Sequence, residues 1–149
     1  MNISEEMIRD IITKVIQESV SKGATKADCD FEKHVDKSGI LSIKTSTVKT
    51  ERFEQDGVSL KDVTTLEESP NMGVGVMELD HSALEWTLTY DEVDVVLEGD
   101  LEIEIDGRVV KGGPGDIIFI PANSHIHFQT PNKTKYVYIA YPANWADLV

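Results

Sequence analysis

Apolar residues recur at helical spacing near the beginning of the chain. In residues 4–22 they lie three or four positions apart, and charged or polar residues fill most of the remaining positions. The apolar positions are Met7, Ile8, Ile11, Ile12, Val15, Ile16 and Val20. Ser4 is a suitable N-cap, and Gly23 is placed to end the helix. The pattern predicts an amphipathic helix within residues 1–22.

The pattern changes twice after this helix. Residues 23–38 are polar and lack a hydrophobic period, which predicts a linker. From Gly39 onward, short apolar or alternating runs are separated by turn sequences such as EGD, DGR and GGPGD. Many short strands at this spacing are typical of a sandwich or a closed barrel. The sequence therefore predicts a mainly β domain over residues 39–149.

Composition and charge exclude several partners. The chain has 149 residues, with 27 acidic against 14 basic side chains and a formal net charge of -13, and no Lys/Arg cluster stands out. A nucleic acid or an anionic membrane would be repelled, so neither is expected as a partner. No apolar run approaches the roughly 20 residues of a membrane span, and no secretion signal precedes the helix. We expect a cytoplasmic protein.

Two spacings in the β region resemble the motifs of a known fold. Six residues separate Glu92 from Gly99, and five separate Gly115 from Pro121. This order resembles the two cupin motifs, G-x5-H-x-H-x3-4-E-x6-G and G-x5-P-x-G-x2-H. The resemblance implies that residues 39–149 form a small jelly-roll barrel.

In metal-binding cupins, three histidines and one glutamate hold a cation inside the barrel. Counted back from Glu92, the first two histidine positions fall on Trp86 and Leu88, or on Glu85 and Thr87. None of these residues offers an imidazole. We therefore expect no metal ligands here, and no cofactor is required.

The third histidine position of the motif is occupied by Ile126, and His125 and His127 flank it. A regular strand that turns Ile126 inward turns both imidazoles outward. A bulge would reverse this arrangement and leave a His-bound transition metal as the alternative.

Three longer stretches carry a more specific resemblance. WTLTYDEVDVVLEG, GDIIFIPANSHIHFQTP and YVYIAYPANW are similar to the EutQ family of ethanolamine-utilisation proteins, over most of residues 39–146. The resemblance implies a role in ethanolamine catabolism, in association with a bacterial microcompartment. It also implies a homodimer, and an acetate kinase activity that would use ATP, acetate and Mg²⁺.

Glu92 is the centre of the candidate site. In a regular strand, Asp94 and Tyr90 share its face, which places two carboxyl groups and a phenol together. Two close carboxylates raise the pKa of one of them, so these three residues are candidate catalytic groups. Neutralisation by Arg52, Lys49 or another basic residue of a neighbouring strand in a structural ion pair is an equally open interpretation.

Further candidates come from position along the predicted strands. Thr87, Thr89 and Tyr138 are placed to line a cavity, and Arg52 is added as a candidate ligand-binding residue. Asp91 joins Glu92 and Asp94 as an oxygen donor that suits Mg²⁺ in the kinase hypothesis. The absence of a G-x4-GK[ST] loop and of a basic cradle counts against ATP.

Three functions stay open at this point. In the first, the chain is a non-metallo cupin with an accessory or small-ligand-binding role. Residues 4–22 would then act as an interaction or encapsulation element that binds shell or ethanolamine-pathway proteins. In the second, it is an acetate kinase. In the third, it is a structural scaffold dimer.

Overall fold

The computed structural model describes residues 5–12 and 29–148. Most of the described chain is strand, and the chain divides into two compact units, Met1–Val48 and Lys49–Val149. The strands are β1 (Lys33–Val35), β2 (Leu41–Ile43), β3 (Glu51–Phe53), β4 (Gln55–Asp62), β5 (Gly73–Asp80), β6 (Ala83–Leu88), β7 (Asp91–Gly99), β8 (Leu101–Ile105), β9 (Arg108–Gly112), β10 (Ile117–Ile120), β11 (Ser124–Gln129) and β12 (Lys133–Tyr141).

In the first unit, residues 5–12 are helical, in agreement with the predicted amphipathic helix. Ile8, Ile11 and Ile12 are 46%, 56% and 53% exposed. The other positions of the predicted helix, including Ser4 and the residues after Ile12, lie outside the described residues. The described part of the predicted apolar stripe is therefore open to solvent.

The first unit also contains a hairpin. β1 and β2 pair antiparallel, and a 3₁₀ turn follows at Thr45–Thr47. The hydroxyl of Thr47 accepts a hydrogen bond of 2.8 Å from the backbone N–H of Glu32. β1 lies within residues 23–38, where the sequence suggested a linker, and the division between units falls later than residue 39. A three-residue strand is too short for its period to be recognised among polar neighbours.

The second unit contains two antiparallel sheets. One has six strands in the order β10-β7-β12-β5-β4-β3, and the other has four in the order β6-β11-β8-β9. The predicted DGR turn joins β8 to β9. Asp106 and Gly107 there both have positive φ, at 50° and 77°, as a type I′ hairpin turn requires.

Alternation along the strands builds one core from both sheets. On β7 the buried positions are Glu92, Asp94 and Val96, and their neighbours in sequence are more exposed. β11 buries Ile126 and Phe128 in the same way. Burying each such apolar side chain stabilises the fold by roughly 1.5–3 kcal/mol. The two carboxyl groups thus occupy core positions that an apolar residue would normally fill.

Among the residues that the structure describes, no helix is long and apolar enough to cross a membrane.

Candidate functional site

Glu92 and Asp94 lie side by side on the inner face of β7. Glu92 is 5% exposed and Asp94 is 0% exposed. Their partners on the edge strand β10 are Ile120 and Ile118. On the β10 side, each acid therefore has an isoleucine as its cross-strand neighbour.

Within residues 5–12 and 29–148, no basic side chain pairs with the two acids. Both carboxyl oxygens of Asp94 are buried without a hydrogen-bond partner, and no ion pair among the described residues includes Glu92 or Asp94. Burial raises the pKa of Glu92 to about 7. Burial also raises the pKa of Asp94 well above its usual range, and the charge of Glu92 adds to that effect. Asp94 is therefore the acid of this pair that keeps its proton to the higher pH.

A small cavity opens beside Glu92, between the two sheets. It offers about 20 Å³ to the centre of a water molecule, which is room for roughly one water. Its walls are aromatic and aliphatic, and Glu92 is the one charged residue among the described residues that line it. The lining residues are Phe53, Leu60, Met77, Leu84, Trp86, Tyr90, Glu92, Phe128, Tyr138 and Trp145.

Hydrogen bonds hold two phenols of this wall in place. The indole N–H of Trp86 donates to the hydroxyl of Tyr90 over 2.9 Å. Burial raises the pKa of Tyr90, and the charge of Glu92, which lines the same cavity, raises it further. The hydroxyl of Tyr138 donates to Asp62 over 2.5 Å.

The ring of Tyr138 can reach Asp62 because its neighbour on β5 is a glycine. A Cβ atom at Gly75 would lie 2.0 Å from the ring carbon that carries the Tyr138 hydroxyl. Gly75 therefore allows a close approach of Tyr138 that any side chain at this position would block.

Trp145 closes the end of the cavity. It belongs to a 3₁₀ turn, Trp145–Leu148, and is 8% exposed. Its ring lies 5.8 Å from Tyr90, 6.1 Å from Tyr138 and 6.3 Å from Trp86, measured between centroids. The hydroxyl of Thr89 donates to the carbonyl oxygen of Leu148, which fastens the turn to the barrel.

The structure brings together Glu92, Asp94, Tyr90 and Tyr138 from the predicted site. Thr87, Thr89 and Asp91 are exposed instead of lining the cavity. Strand alternation explains the result for Asp91, because it immediately precedes the inward Glu92. The carboxylate of Asp91 accepts a hydrogen bond of 2.8 Å from the backbone N–H of Ala122. The predicted grouping of Asp91 with the two buried acids for Mg²⁺ is not formed.

Neither basic candidate reaches the buried acids. Arg52 is exposed and forms an ion pair of 2.9 Å with Asp56, and Lys49 is exposed. The interpretation in which Arg52 or Lys49 neutralises Glu92 and Asp94 is therefore wrong for the described arrangement. Both side chains lie on the solvent side of the fold.

The two histidines of β11 face away from the core, because Ile126 between them is 1% exposed. His125 contacts Glu85 over 2.8 Å and the hydroxyl of Thr87 over 2.6 Å. His127 contacts Glu104 over 2.8 Å. No bulge interrupts the pairing of β11 with β6, so the strand keeps its regular alternation.

The donor set of the cavity does not suit a hydrated magnesium ion. Mg²⁺ takes six oxygen ligands and usually keeps several waters. Glu92 and Asp94 offer carboxylate oxygens, but the cavity has room for roughly one water. Among the described residues, no group of three or more His, Cys, Asp or Glu side chains could hold a metal ion.

The two antiparallel sheets, packed around a buried acid, have a cupin-like fold. A cupin superfamily protein from Desulfitobacterium hafniense DCB-2 shares this fold, with a TM-score of 0.53 over 65% of this chain and 85% of that one, at 18% identity. The model of the family described as ethanolamine utilisation protein EutQ matches residues 3–147. The chain belongs to the EutQ family.

Relatives in this family are similar over nearly the whole chain. A protein of Clostridioides difficile strain 630, named acetate kinase EutQ, is 43% identical over 98% of this chain and 96% of its own length. A protein of Salmonella typhimurium LT2 with the same name is 36% identical, and this chain covers 65% of its length. The solved structure of the Clostridium difficile EutQ protein has a TM-score of 0.78 over 81% of this chain and 93% of that one, at 44% identity.

Three aromatic residues of the site were not predicted from the sequence. Phe53, Trp86 and Trp145 line the cavity, and Asp62 anchors Tyr138. Trp86 shared a predicted strand with inward residues, so its alternation was a usable signal. Nothing local in the sequence places Trp145 against the barrel interior, because that contact joins distant segments.

Proposed function

We propose that the chain acts in ethanolamine catabolism as a cupin that binds a small molecule inside its barrel, through Glu92 and Asp94. Asp94 carries the proposal, because both of its carboxyl oxygens are buried without a partner. Leaving one buried polar group unsatisfied costs about 1–3 kcal/mol. Titratable groups held in such a state beside a cavity are often functional.

A ligand screen monitored by thermal unfolding tests this proposal. Small acids, amines, alcohols and nucleotides are added singly to the wild-type chain and to the Glu92→Gln variant. Glu98→Gln is the matched control, because Glu98 is an exposed acid on the same strand. A ligand at 100 times its Kd stabilises the fold by about 2.7 kcal/mol. We expect at least one compound to raise the Tm of the wild-type and control proteins but not of Glu92→Gln. If no compound separates the variants, the proposal is withdrawn.

A second candidate function is phosphoryl transfer between ATP and acetate. The observation that favours it is the 43% identity to a relative named acetate kinase EutQ, over nearly the full length of both chains. The closed cavity is too small for ATP. A surface groove of about 590 Å³ is large enough for a nucleotide, and its lining includes Arg52 and Lys133 beside Asp80 and Glu78.

The groove and the buried acids are separate places. Glu98 lines the groove and lies on the same strand as Glu92. The two residues are about 20 Å apart along β7, because a strand rises about 3.3 Å for each residue. Acetate-dependent ADP formation by the wild-type chain, Glu92→Gln and Lys133→Gln therefore locates the activity. We expect turnover that one of the two substitutions lowers at least tenfold. The kinase function is rejected if the wild-type chain shows no acetate-dependent turnover.

We propose that the N-terminal helix is an interaction element that directs the chain from the cytoplasm to a bacterial microcompartment. Its support is the exposed run of Ile8, Ile11 and Ile12, an arrangement that fits a hydrophobic groove on a partner protein. A fluorescent protein fused to residues 1–22 should form foci in cells that make compartments. Substitution of Ile8 and Ile12 by Glu should disperse them, whereas diffuse fluorescence of the unmodified fusion argues against targeting.

We also propose that the chain is a homodimer, which is the assembly that a scaffold role requires. β10 is an edge strand of the six-stranded sheet, and its outward residues Ile117 and Phe119 are exposed. Pairing through such an edge satisfies open backbone groups. Light scattering should give twice the chain mass, and Phe119→Asp should give the monomer. Val110→Asp, on the edge strand β9 of the other sheet, is the control that should stay dimeric.

A further inference from the structure

The cavity beside Glu92 is lined largely by aromatic rings. Trp145 lies 6.4 Å from Phe53 and within a similar distance of Trp86, Tyr90 and Tyr138. The faces of aromatic rings carry partial negative charge and attract cations within about 6 Å. The walls of this cavity therefore favour a positively charged guest.

The acid in the cavity wall favours the same sign of charge. Glu92 lines the cavity, and the fully buried Asp94, two residues further along the same face of β7, has two oxygens without partners. The lining includes no basic residue among those described. An anion such as acetate or phosphate would meet carboxylates and ring faces with no compensating charge, so anions are disfavoured.

The chemistry of the walls selects among cations. A hydrated metal ion needs more oxygen ligands than the two acids supply, as described above. A primary ammonium group needs only acceptors for its three N–H donors, and carboxylates are suitable acceptors. The carbon atoms attached to the nitrogen would contact Met77, Leu84 and Phe128, which line the remaining wall.

We propose that this cavity binds the ammonium group of a small primary amine, with its N–H donors on Glu92, with Asp94 behind Glu92 adding negative charge, and with its carbon atoms among the aromatic rings. The inference rests on the proposed small-ligand function and specifies its ligand class. Protonated ethanolamine belongs to this class. The present volume of about 20 Å³ accommodates the ammonium group alone, so Trp145 must shift to admit the carbon atoms.

Calorimetric titration in phosphate buffer, without Tris or ammonium salts, tests the ligand class. The probes are methylammonium chloride, ethanolamine hydrochloride and sodium acetate, each at pH 6.5 and 8.0. We expect saturable binding of the two amines and none of acetate. Affinity should be higher at pH 8.0, because burial raises the pKa of both acids and the amine binds their ionised form.

Variants connect the binding to the cavity. Glu92→Gln and Asp94→Asn should each weaken amine binding at least tenfold. Glu67→Gln, which replaces an exposed acid outside the cavity and the groove, should leave it unchanged. Circular dichroism confirms that each variant is folded, and Trp145→Phe offers a second variant that keeps both acids and changes only the wall. A smaller change in amine affinity for Trp145→Phe than for the acid variants supports the proposal.

The failures of the two proposals can be told apart. If amines do not bind but the ligand screen finds another Glu92-dependent compound, the ammonium site is wrong and the small-ligand function stands. If amines bind equally well to Glu92→Gln, the ammonium site is wrong because binding occurs elsewhere. If the screen finds no Glu92-dependent ligand of any kind, both proposals fail.

Discussion

Replacing Glu92 by Gln should make the protein more stable at neutral pH, and the gain should depend on pH. Burial raises the pKa of this side chain from its ordinary value of 4.5 to about 7 in the folded protein. Between these two pH values the unfolded chain releases the proton and the folded chain keeps it. Wild-type stability therefore falls as pH rises through this window, by about 1.4 kcal/mol for each pH unit.

The pH window sets the size of the effect. Across it, wild-type protein loses about 3 kcal/mol that Glu92→Gln retains, because an amide does not ionise. Below pH 4.5 Glu92 is protonated in both states, and above pH 7 it is ionised in both, so its contribution is constant there. The amide N–H of the variant can also donate to Asp94, which keeps the contact between the two side chains.

Urea unfolding at pH 5, 6, 7 and 8 measures the effect, with tryptophan fluorescence from Trp86 and Trp145 as the signal. The free energy difference between variant and wild type should grow from pH 5 to pH 7 and level off by pH 8. A Glu92→Gln difference that does not change with pH would refute the reasoning, because it would mean that Glu92 ionises in the fold without penalty.

Three further substitutions test the walls of the cavity. Trp145→Ala should lower the free energy of unfolding by about 3 kcal/mol, as for a large buried aromatic residue, whereas Leu148→Ala in the same turn should cost under about 1 kcal/mol in urea unfolding. Gly75→Ala should destabilise the fold by about 1–3 kcal/mol, because the new methyl group overlaps the ring of Tyr138, and Gly113→Ala is the control whose Cβ meets nothing closer than 3.3 Å. Tyr138→Phe should cost about 1 kcal/mol through loss of the hydrogen bond to Asp62, and an unchanged Tm would show that this bond contributes nothing.

The predictable part of the fold followed from local patterns. Alternation on β7 was sufficient to place Glu92 and Asp94 on one inner face, and the DGR sequence was sufficient to place a tight turn before β9. The cupin spacing and the EutQ stretches indicated the barrel class before any packing was known. These features depend on neighbours in sequence, and the chain keeps them in the fold.

The remainder depended on contacts between distant segments. Whether a basic side chain neutralises Glu92 could not be decided from sequence. The ion pair of Arg52 with Asp56 depends on how β3 and β4 pair in the folded chain. Thr87 and Thr89 were predicted to line the cavity. On β6, however, Trp86 and Leu88 are more buried than Thr87 between them. Strict use of the two-residue period would have moved Thr87 to the outer face. The contact of Trp145 with the barrel required the full three-dimensional arrangement.

The orientation of β11 has a consequence for how barrels of this kind diverge. Since its side chains alternate, inserting or deleting a single residue near Asn123 would exchange the two faces of the strand. The imidazoles of His125 and His127 would then enter the interior, and Ile126 would leave it. A change of one residue in the length of this loop, without any point mutation in β11, is thus the shortest evolutionary route between this barrel and one that presents histidines to its centre.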